Sequence, residues 1–264
     1  MPKYEIGQTL TFSNQPVVVQ AVEGDKYYCE IGKSQLPMWL PERMLENSQP
    51  SAKKEWFNRR PPHMLIIDRF YQNPDEIREI ALEQKFVTNK KFYKGQRTEE
   101  RFLWPFLKEE FERLLGLRIT DWMNQRANGC FQITNYKDPL VWHSDRQDYA
   151  AAIYLTPDAP IGAGTSFWRD RKHGCRRPSN HPLETDRFPD DATRNTVLGD
   201  VYNGHSILNP EGWELVDKVG AVYNRLVIWD AQLIHSASSY EGLSDATADK
   251  SRLVQLFFFS VKQK

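Results

Sequence analysis

His143 and Asp145, in the segment Trp142-His143-Ser144-Asp145, are the residues of this chain whose types and spacing best suit chemistry. Residues two apart in an extended chain point to the same side, so one imidazole and one carboxylate converge on a single point. A second imidazole from a distant strand would complete a face of two histidines and one carboxylate. That face leaves coordination positions open and suits non-haem Fe(II). His235 is the candidate, after the apolar stretches Leu226-Val227-Ile228-Trp229 and Leu233-Ile234. The H-x-D spacing alone is common in a chain with six histidines and 35 acidic residues. A histidine satisfied in the core or at the surface reads equally well from it.

Arg252 follows His235 by seventeen residues and opens the apolar run 253–259. A cation at the mouth of a buried strand is costly without a partner, and a guanidinium grips a carboxylate through two parallel bonds. Arg252 is therefore a candidate anchor for an anionic small molecule, although an arginine that merely caps a strand end leaves the same signature. Arg225, ahead of the 226–229 run, is the competing cation. His173, His181 and His205 fall at spacings that fit no metal signature and read as solvated loop histidines.

The elements that must position these groups follow from periodicity. Residues 9–12, 15–22 and 27–31 are rich in strand formers, with Glu23-Gly24-Asp25 as a hairpin turn. Two prolines flank Met38-Trp39-Leu40, as suits an edge strand. Residues 1–48 are expected to form a small SH3-like β-barrel module; a meander extending the main sheet is the alternative. Residues 49–62 read as a linker, whose Lys53, Lys54, Arg59 and Arg60 surround Trp56 and Phe57 as a solvated connector, with contact to phosphate as the alternative.

The remaining domain, 63–264, opens on a short strand at 64–68. Asn73, Pro74 and Glu76 supply an N-cap, a first-turn proline and a capping box for a helix that places Ile77, Ile80 and Ala81 on one face. A second helix is predicted over 107–115, with Leu107, Phe111, Leu114 and Leu115 inward. From Cys130 the pattern is extended, with strands predicted at 131–136, 149–155, 165–168, 219–222, 225–229, 232–235 and 252–261. Helices followed by many strands give a mainly β, double-sheet architecture with helical support on one side. Residues 169–212 show little periodicity and read as an insertion over one mouth of the barrel. Its charges, Arg169, Asp170, Arg171, Lys172, Arg176 and Arg177, favour a polar or anionic substrate or partner.

Bulk composition narrows the function classes. Hydrophobic residues are 40% and charged residues 27% of the 264, an ordinary globular balance. A formal net charge of zero weighs against nucleic-acid binding, which needs a basic surplus to neutralise phosphates. Cys29, Cys130 and Cys175 are far apart, with no C-x-x-C, as expected of a reduced intracellular protein. No stretch approaches the roughly 20 apolar residues of a membrane helix. The first residues lack the apolar core of a signal peptide. A cytoplasmic location is expected, in the host cytoplasm if the chain is viral.

The ordered set of H-x-D, then His some ninety residues on, then Arg on the final strand resembles the iron(II)/2-oxoglutarate-dependent dioxygenases, above all their prolyl-hydroxylase-like branch. Tyr136 is similar to the family's Tyr ahead of the H-x-D strand, and Tyr154-Leu155-Thr156 to its Tyr-Leu-Asn strand. Gly162-Ala163-Gly164-Thr165-Ser166-Phe167-Trp168 resembles its Gly-Gly-x-Thr-x-Phe segment. The opening Ile67-Asp68-Arg69-Phe70-Tyr71 with Asn73-Pro74-Asp75 resembles an uncharacterised oxygenase-like group in which it precedes Gly-Thr-Ser-Phe-Trp. The resemblance spans roughly residues 64–261 and implies a double-stranded β-helix, or jelly roll.

It further implies that His143, Asp145 and His235 hold Fe(II), and that Arg252, helped by Tyr136 or Tyr154, pairs with 2-oxoglutarate. O2 would be consumed, and a C–H bond of a small-molecule or peptide substrate hydroxylated with release of succinate and CO2. Trp142, Phe167, Trp168 and Trp229 would wall a dry pocket. Two departures bear on the 2-oxoglutarate contact. The interval from His235 to Arg252 is long, which a polar loop at 238–251 explains, and Arg252-Leu253-Val254 stands where the family often has Arg-x-Ser. A cupin-like metal enzyme without co-substrate, a nucleic-acid demethylase, and a non-catalytic binding or virion-associated protein on the same fold remain as alternatives.

Overall fold

Alternating strand formers and tight turns build two separate units in this computed structural model, Met1–Pro61 and Pro62–Lys264. It describes residues 3–12, 15–31, 38–41, 45, 62–88, 95–202, 208–244 and 250–263. In the first unit β1 (Thr9–Phe12), β2 (Gln15–Glu23), β3 (Lys26–Ile31) and β4 (Met38–Pro41) form an antiparallel meander in that order. Gly24, at φ +61°, makes the β2–β3 reversal that a side chain would resist. Pro41 ends the edge strand β4. Val17, Val19, Tyr27, Cys29 and Leu45 form the small core. The basic run 53–60 lies outside the described residues.

The second unit runs β5 (Met64–Ile67), α1 (Pro74–Leu82), β6 (Phe86–Thr88), β7 (Gln96–Thr98), α2 (Pro105–Leu115), β8 (Leu117–Ile119), β9 (Phe131–Thr134), β10 (Tyr149–Tyr154) and β11 (Thr165–Asp170). There follow α3 (Asp191–Tyr202), β12 (Trp213–Val219), β13 (Leu226–Asp230), β14 (His235–Ala237), β15 (Arg252–Phe259) and β16 (Val261–Gln263). The chain is mainly β, and its sheets are antiparallel. Seven strands make one sheet in the order β5-β13-β10-β15-β9-β7-β6; three make a second, β12-β11-β14; β16 pairs with β8.

Strand periodicity divides the seven-stranded sheet between two cores. Ala151, Ile153, Leu226, Ile228, Leu253, Phe257 and Phe131 pack with Ala81 of α1 and Leu107, Phe111 and Leu115 of α2. The alternate residues, Ala150, Ala152, Tyr154, Val227, Trp229, Val254 and Leu256, pack with Phe167 and Val219 of the three-stranded sheet. Every residue of β10 is thus buried. Phe111 is the hinge of the helical side, its ring 5.1 Å from Phe257 and 5.7 Å from Trp122. Truncating such a side chain costs about 3–5 kcal/mol.

Several expectations are corrected. Asn73 precedes α1 but caps no backbone N–H; its Nδ2 donates to Glu76 Oε2 at 3.3 Å, so the two side chains satisfy each other. The strand expected at 219–222 lies earlier, as β12, because residues 214–218 are mostly exposed and their apolar pair, Leu215 and Val216, does not alternate with polar residues. Residues 169–212 are not uniform loop. They contain α3, a helix with little apolar stripe, and a segment pinned by buried Asp170 and Glu184. His173 is tied to Asp170 at 2.9 Å rather than solvated, and His205 lies outside the described residues. Among the described residues, no helix is long and apolar enough to cross a membrane.

The three cysteines are buried thiols. Burial and the charges of Asp170 and Glu184 push the Cys175 thiol up to about 12. At pH 8 its thiolate fraction is then about one in ten thousand. A disulfide reagent such as DTNB should find no fast-reacting thiol in the native chain and three in denaturant. A stoichiometric fast native phase would contradict this burial.

Candidate metal centre

Two distant segments are joined by one reciprocal backbone pair. His143 N–H donates to the His235 carbonyl at 3.0 Å, and His235 N–H to the His143 carbonyl at 2.8 Å. Asp145 N–H donates to the Ala231 carbonyl at 2.8 Å, which sets the carboxylate beside both imidazoles. On its other edge β14 pairs with β11, placing His235 opposite Phe167. Backbone hydrogen bonds, one bridge pair and one between loop residues, therefore bring the three side chains together.

Each of the three offers one ligand atom, and these atoms lie within 4.8 Å of one another. Nε2 of His143 is 4.0 Å from Asp145 Oδ1, and Nε2 of His235 is 3.5 Å from Oδ2. The imidazole centroids are 4.4 Å apart. Nδ1 of His143 lies 3.0 Å from the Val141 carbonyl, and Nδ1 of His235 lies 2.7 Å from the Leu233 carbonyl. A carbonyl only accepts, so both Nδ1 atoms carry hydrogen and each Nε2 presents a lone pair. Oδ2 of Asp145 is buried and accepts no hydrogen bond. Two lone pairs and a buried anionic oxygen without a donor are groups that a divalent cation satisfies, and the set is consistent with Fe(II). Among the described residues, no second such cluster occurs.

The electrostatics agree with ligation. Burial, then the neighbouring His235, lowers the affinity of His143 for a proton, against the opposing pull of Asp145. Burial pushes the Asp145 carboxyl up, but the neighbouring His235 and His143 outweigh it and hold it below the usual carboxylate range. The aromatic wall is partly where the sequence placed it. The ring of Trp229 is 5.2 Å from that of His235, and that of Phe167 is 6.5 Å away. Trp142 and Trp168 pack instead with Trp213 and Ile234 in a separate cluster.

The two candidate cations differ sharply. Arg225 forms a bidentate pair with Asp68, Nε to Oδ1 at 2.5 Å and Nη2 to Oδ2 at 2.9 Å. Asp68 belongs to the opening segment 67–71, whose Tyr71 also exchanges two bonds with Asn224. That motif therefore bolts the first strand to the turn before β13 and consumes Arg225. Arg252 is buried and has no carboxylate partner among the described residues. Its Nε donates to the Ala163 carbonyl at 2.6 Å and Nη2 to the Gly164 carbonyl at 3.3 Å, leaving further donors.

Tyr154 stacks its ring 5.3 Å from the Arg252 guanidinium and bonds Thr165 at 2.7 Å. Tyr136 is not brought to this group: it is 57% exposed on a turn, beside Lys137. Thr134, opposite Arg252 in the β9–β15 ladder, and Trp229 each bury a polar atom without a partner. Arg97 was not anticipated. It pairs with Gln132 across β7–β9, its Nε donates to Gln132 Oε1, and its charge reaches both His143 and Asp145. A three-residue strand carries too little pattern to reveal it.

Residues 48–259 match the profile of a family of unknown function, DUF6445. The chain belongs to that family. No curated protein matches it. Among solved structures, HygX from Streptomyces hygroscopicus with nickel and 2-oxoglutarate bound is 14% identical, with 81% of this chain and 87% of that chain covered and a TM-score of 0.42. The non-heme alpha ketoglutarate dependent carbocyclase SnoK from nogalamycin biosynthesis is 16% identical, with 81% and 84% covered and a TM-score of 0.43. Likeness at this level carries no argument, and the site stands on its own geometry.

Gly164 ties the site to the fold. A Cβ there would lie 1.8 Å from the Val219 carbonyl, in the backbone contact that seats β12 against β11. Gly164→Ala should cost about 2 kcal/mol or more through overpacking, measured by urea unfolding. A variant as stable as the native chain would show that this close approach is dispensable.

Proposed function

We propose that this chain is an Fe(II)- and 2-oxoglutarate-dependent dioxygenase that hydroxylates a C–H bond of a polar small molecule or peptide. The observation that carries the reading is the convergence of two imidazole lone pairs and an unsatisfied carboxylate oxygen at one point. A neighbouring buried arginine without a carboxylate of its own supports the co-substrate. In the same reading the two facing sheets are the halves of a double-stranded β-helix of the prolyl-hydroxylase-like branch. Residues 1–48 are an SH3-like module, 49–62 a linker and 63–264 the catalytic domain.

His143, Asp145 and His235 would hold the ion, with the Val141 and Leu233 carbonyls fixing the imidazole tautomers. When bound, Fe(II) supplies the activation of O2 that couples oxidation of 2-oxoglutarate to attack on a C–H bond. Arg252 would take the distal carboxylate of 2-oxoglutarate through the donors that the Ala163 and Gly164 carbonyls leave over. Tyr154 holds that guanidinium from its ring face. Tyr136 is the weaker helper, because nothing draws it toward Arg252. Trp229 and Phe167 exclude water from the His235 side. The reaction balances as R–H, 2-oxoglutarate and O2 giving R–OH, succinate and CO2.

The test is anaerobic titration with Fe(II) and 2-oxoglutarate, followed by succinate measurement in air. The native chain should develop a weak visible charge-transfer band and release succinate, whereas Asp145→Ala should do neither. Succinate at the native rate from Asp145→Ala would overturn the reading, and iron binding without succinate would favour a cupin-like enzyme. Arg252→Ala should raise the 2-oxoglutarate requirement at least tenfold while sparing the iron, because it removes a buried charge-assisted contact of about 1.5–3 kcal/mol. Arg225→Ala should leave that requirement unchanged; the opposite pattern would move the anchor to Arg225.

A further inference from the structure

Between β11 and α3 the chain builds a rigid platform. Buried Asp170 accepts the backbone N–H of His173 at 2.6 Å and of Cys175 at 2.8 Å. Arg176 is then fixed on both sides of its backbone. Its N–H donates to Glu184 Oε1 at 3.1 Å, and its carbonyl accepts Ile234 N–H at 2.7 Å. Arg176 therefore lies beside the residue that precedes His235.

The edge formed by Nε and Nη2 is how this protein grips acids. Arg169 uses it on Glu214, Arg225 on Asp68, and Arg177 on Asp230. On Arg176 the same two atoms are buried and meet no acceptor. Glu184 does not serve them: one oxygen takes the Arg176 backbone, and the other takes Arg187 Nε at 2.7 Å. Trp142, packed with Ile234, likewise buries an indole N–H without an acceptor. Two guanidinium donors without acceptors favour an anion, and their edge matches a carboxylate bidentately. One positive charge suits a monoanion, since the adjacent Arg177 is committed to Asp230.

We propose that the Nε/Nη2 edge of Arg176 binds a carboxylate of a small molecule, separately from Arg252. Its use as a handle for the molecule to be oxidised rests on the dioxygenase reading; the binding itself does not. Benzoate is a suitable probe, because Trp142, Trp168 and Trp213 cluster at Ile234, and benzamide is its uncharged control.

Millimolar benzoate should raise the unfolding temperature of the native chain and of Arg252→Met, while benzamide should not. Arg176→Met should unfold no earlier than the native chain without benzoate, because two buried donors without acceptors are removed, and should gain nothing from benzoate. If Arg176→Met does not fold, nitrogen-15 NMR of the native chain decides. The Arg Nε–H signal absent from Arg176→Lys should move with benzoate and not with benzamide. Equal effects of the two probes, no effect of benzoate, or a benzoate shift surviving in Arg176→Met would overturn the proposal. None of these readouts requires turnover, so a chain that never forms succinate can still pass.

Discussion

The reciprocal backbone bonds between His143 and His235 are the constraint on which the site depends. Backbone groups buried between sheets must find partners, and here the requirement is met by pairing two segments far apart in the chain. The same bonds set the imidazoles side by side and leave Asp145 to be placed by one more, to Ala231. No side-chain attraction is needed to assemble the group. Two imidazoles beside a carboxylate oxygen that accepts no hydrogen bond are poorly matched without a cation, so the fold imposes an arrangement that its own side chains do not satisfy.

The inner face of the large sheet explains how such a group fits into a core. Successive residues of β10, β13 and β15 point alternately to the helices and to the smaller sheet. The helical side is filled by large aromatic and aliphatic groups, with Phe111, Phe257 and Phe259 in contact. The other side carries Ala150 and Ala152 at its centre and Tyr154 and Arg252 toward one end. The helical packing and the candidate anchor Arg252 thus lie on opposite faces of the same strands.

Cations are apportioned by local geometry. Asp68, in the opening segment of the second unit, captures Arg225, and the paired sequence signals for the two arginines separate only when this pair forms. Gly164, seated against Val219, turns its carbonyl and that of Ala163 toward Arg252. The glycine-rich segment therefore packs two sheets and orients a guanidinium at once.

The β character, α2, the two-histidine-and-carboxylate set and the candidate arginines were legible in the chain, because hydrophobic period and residue chemistry are local properties. β12 escapes the pattern because its apolar residues do not alternate with polar ones, and α3 because it buries little of its surface. Arg97 and the unmatched edge of Arg176 left no sequence trace, since an arginine's partners are set by what the folded chain brings within hydrogen-bond reach. Residue type and period determined which groups could act. Only tertiary structure decided which of them meet, because sheet pairing joins residues by register rather than by their distance along the chain.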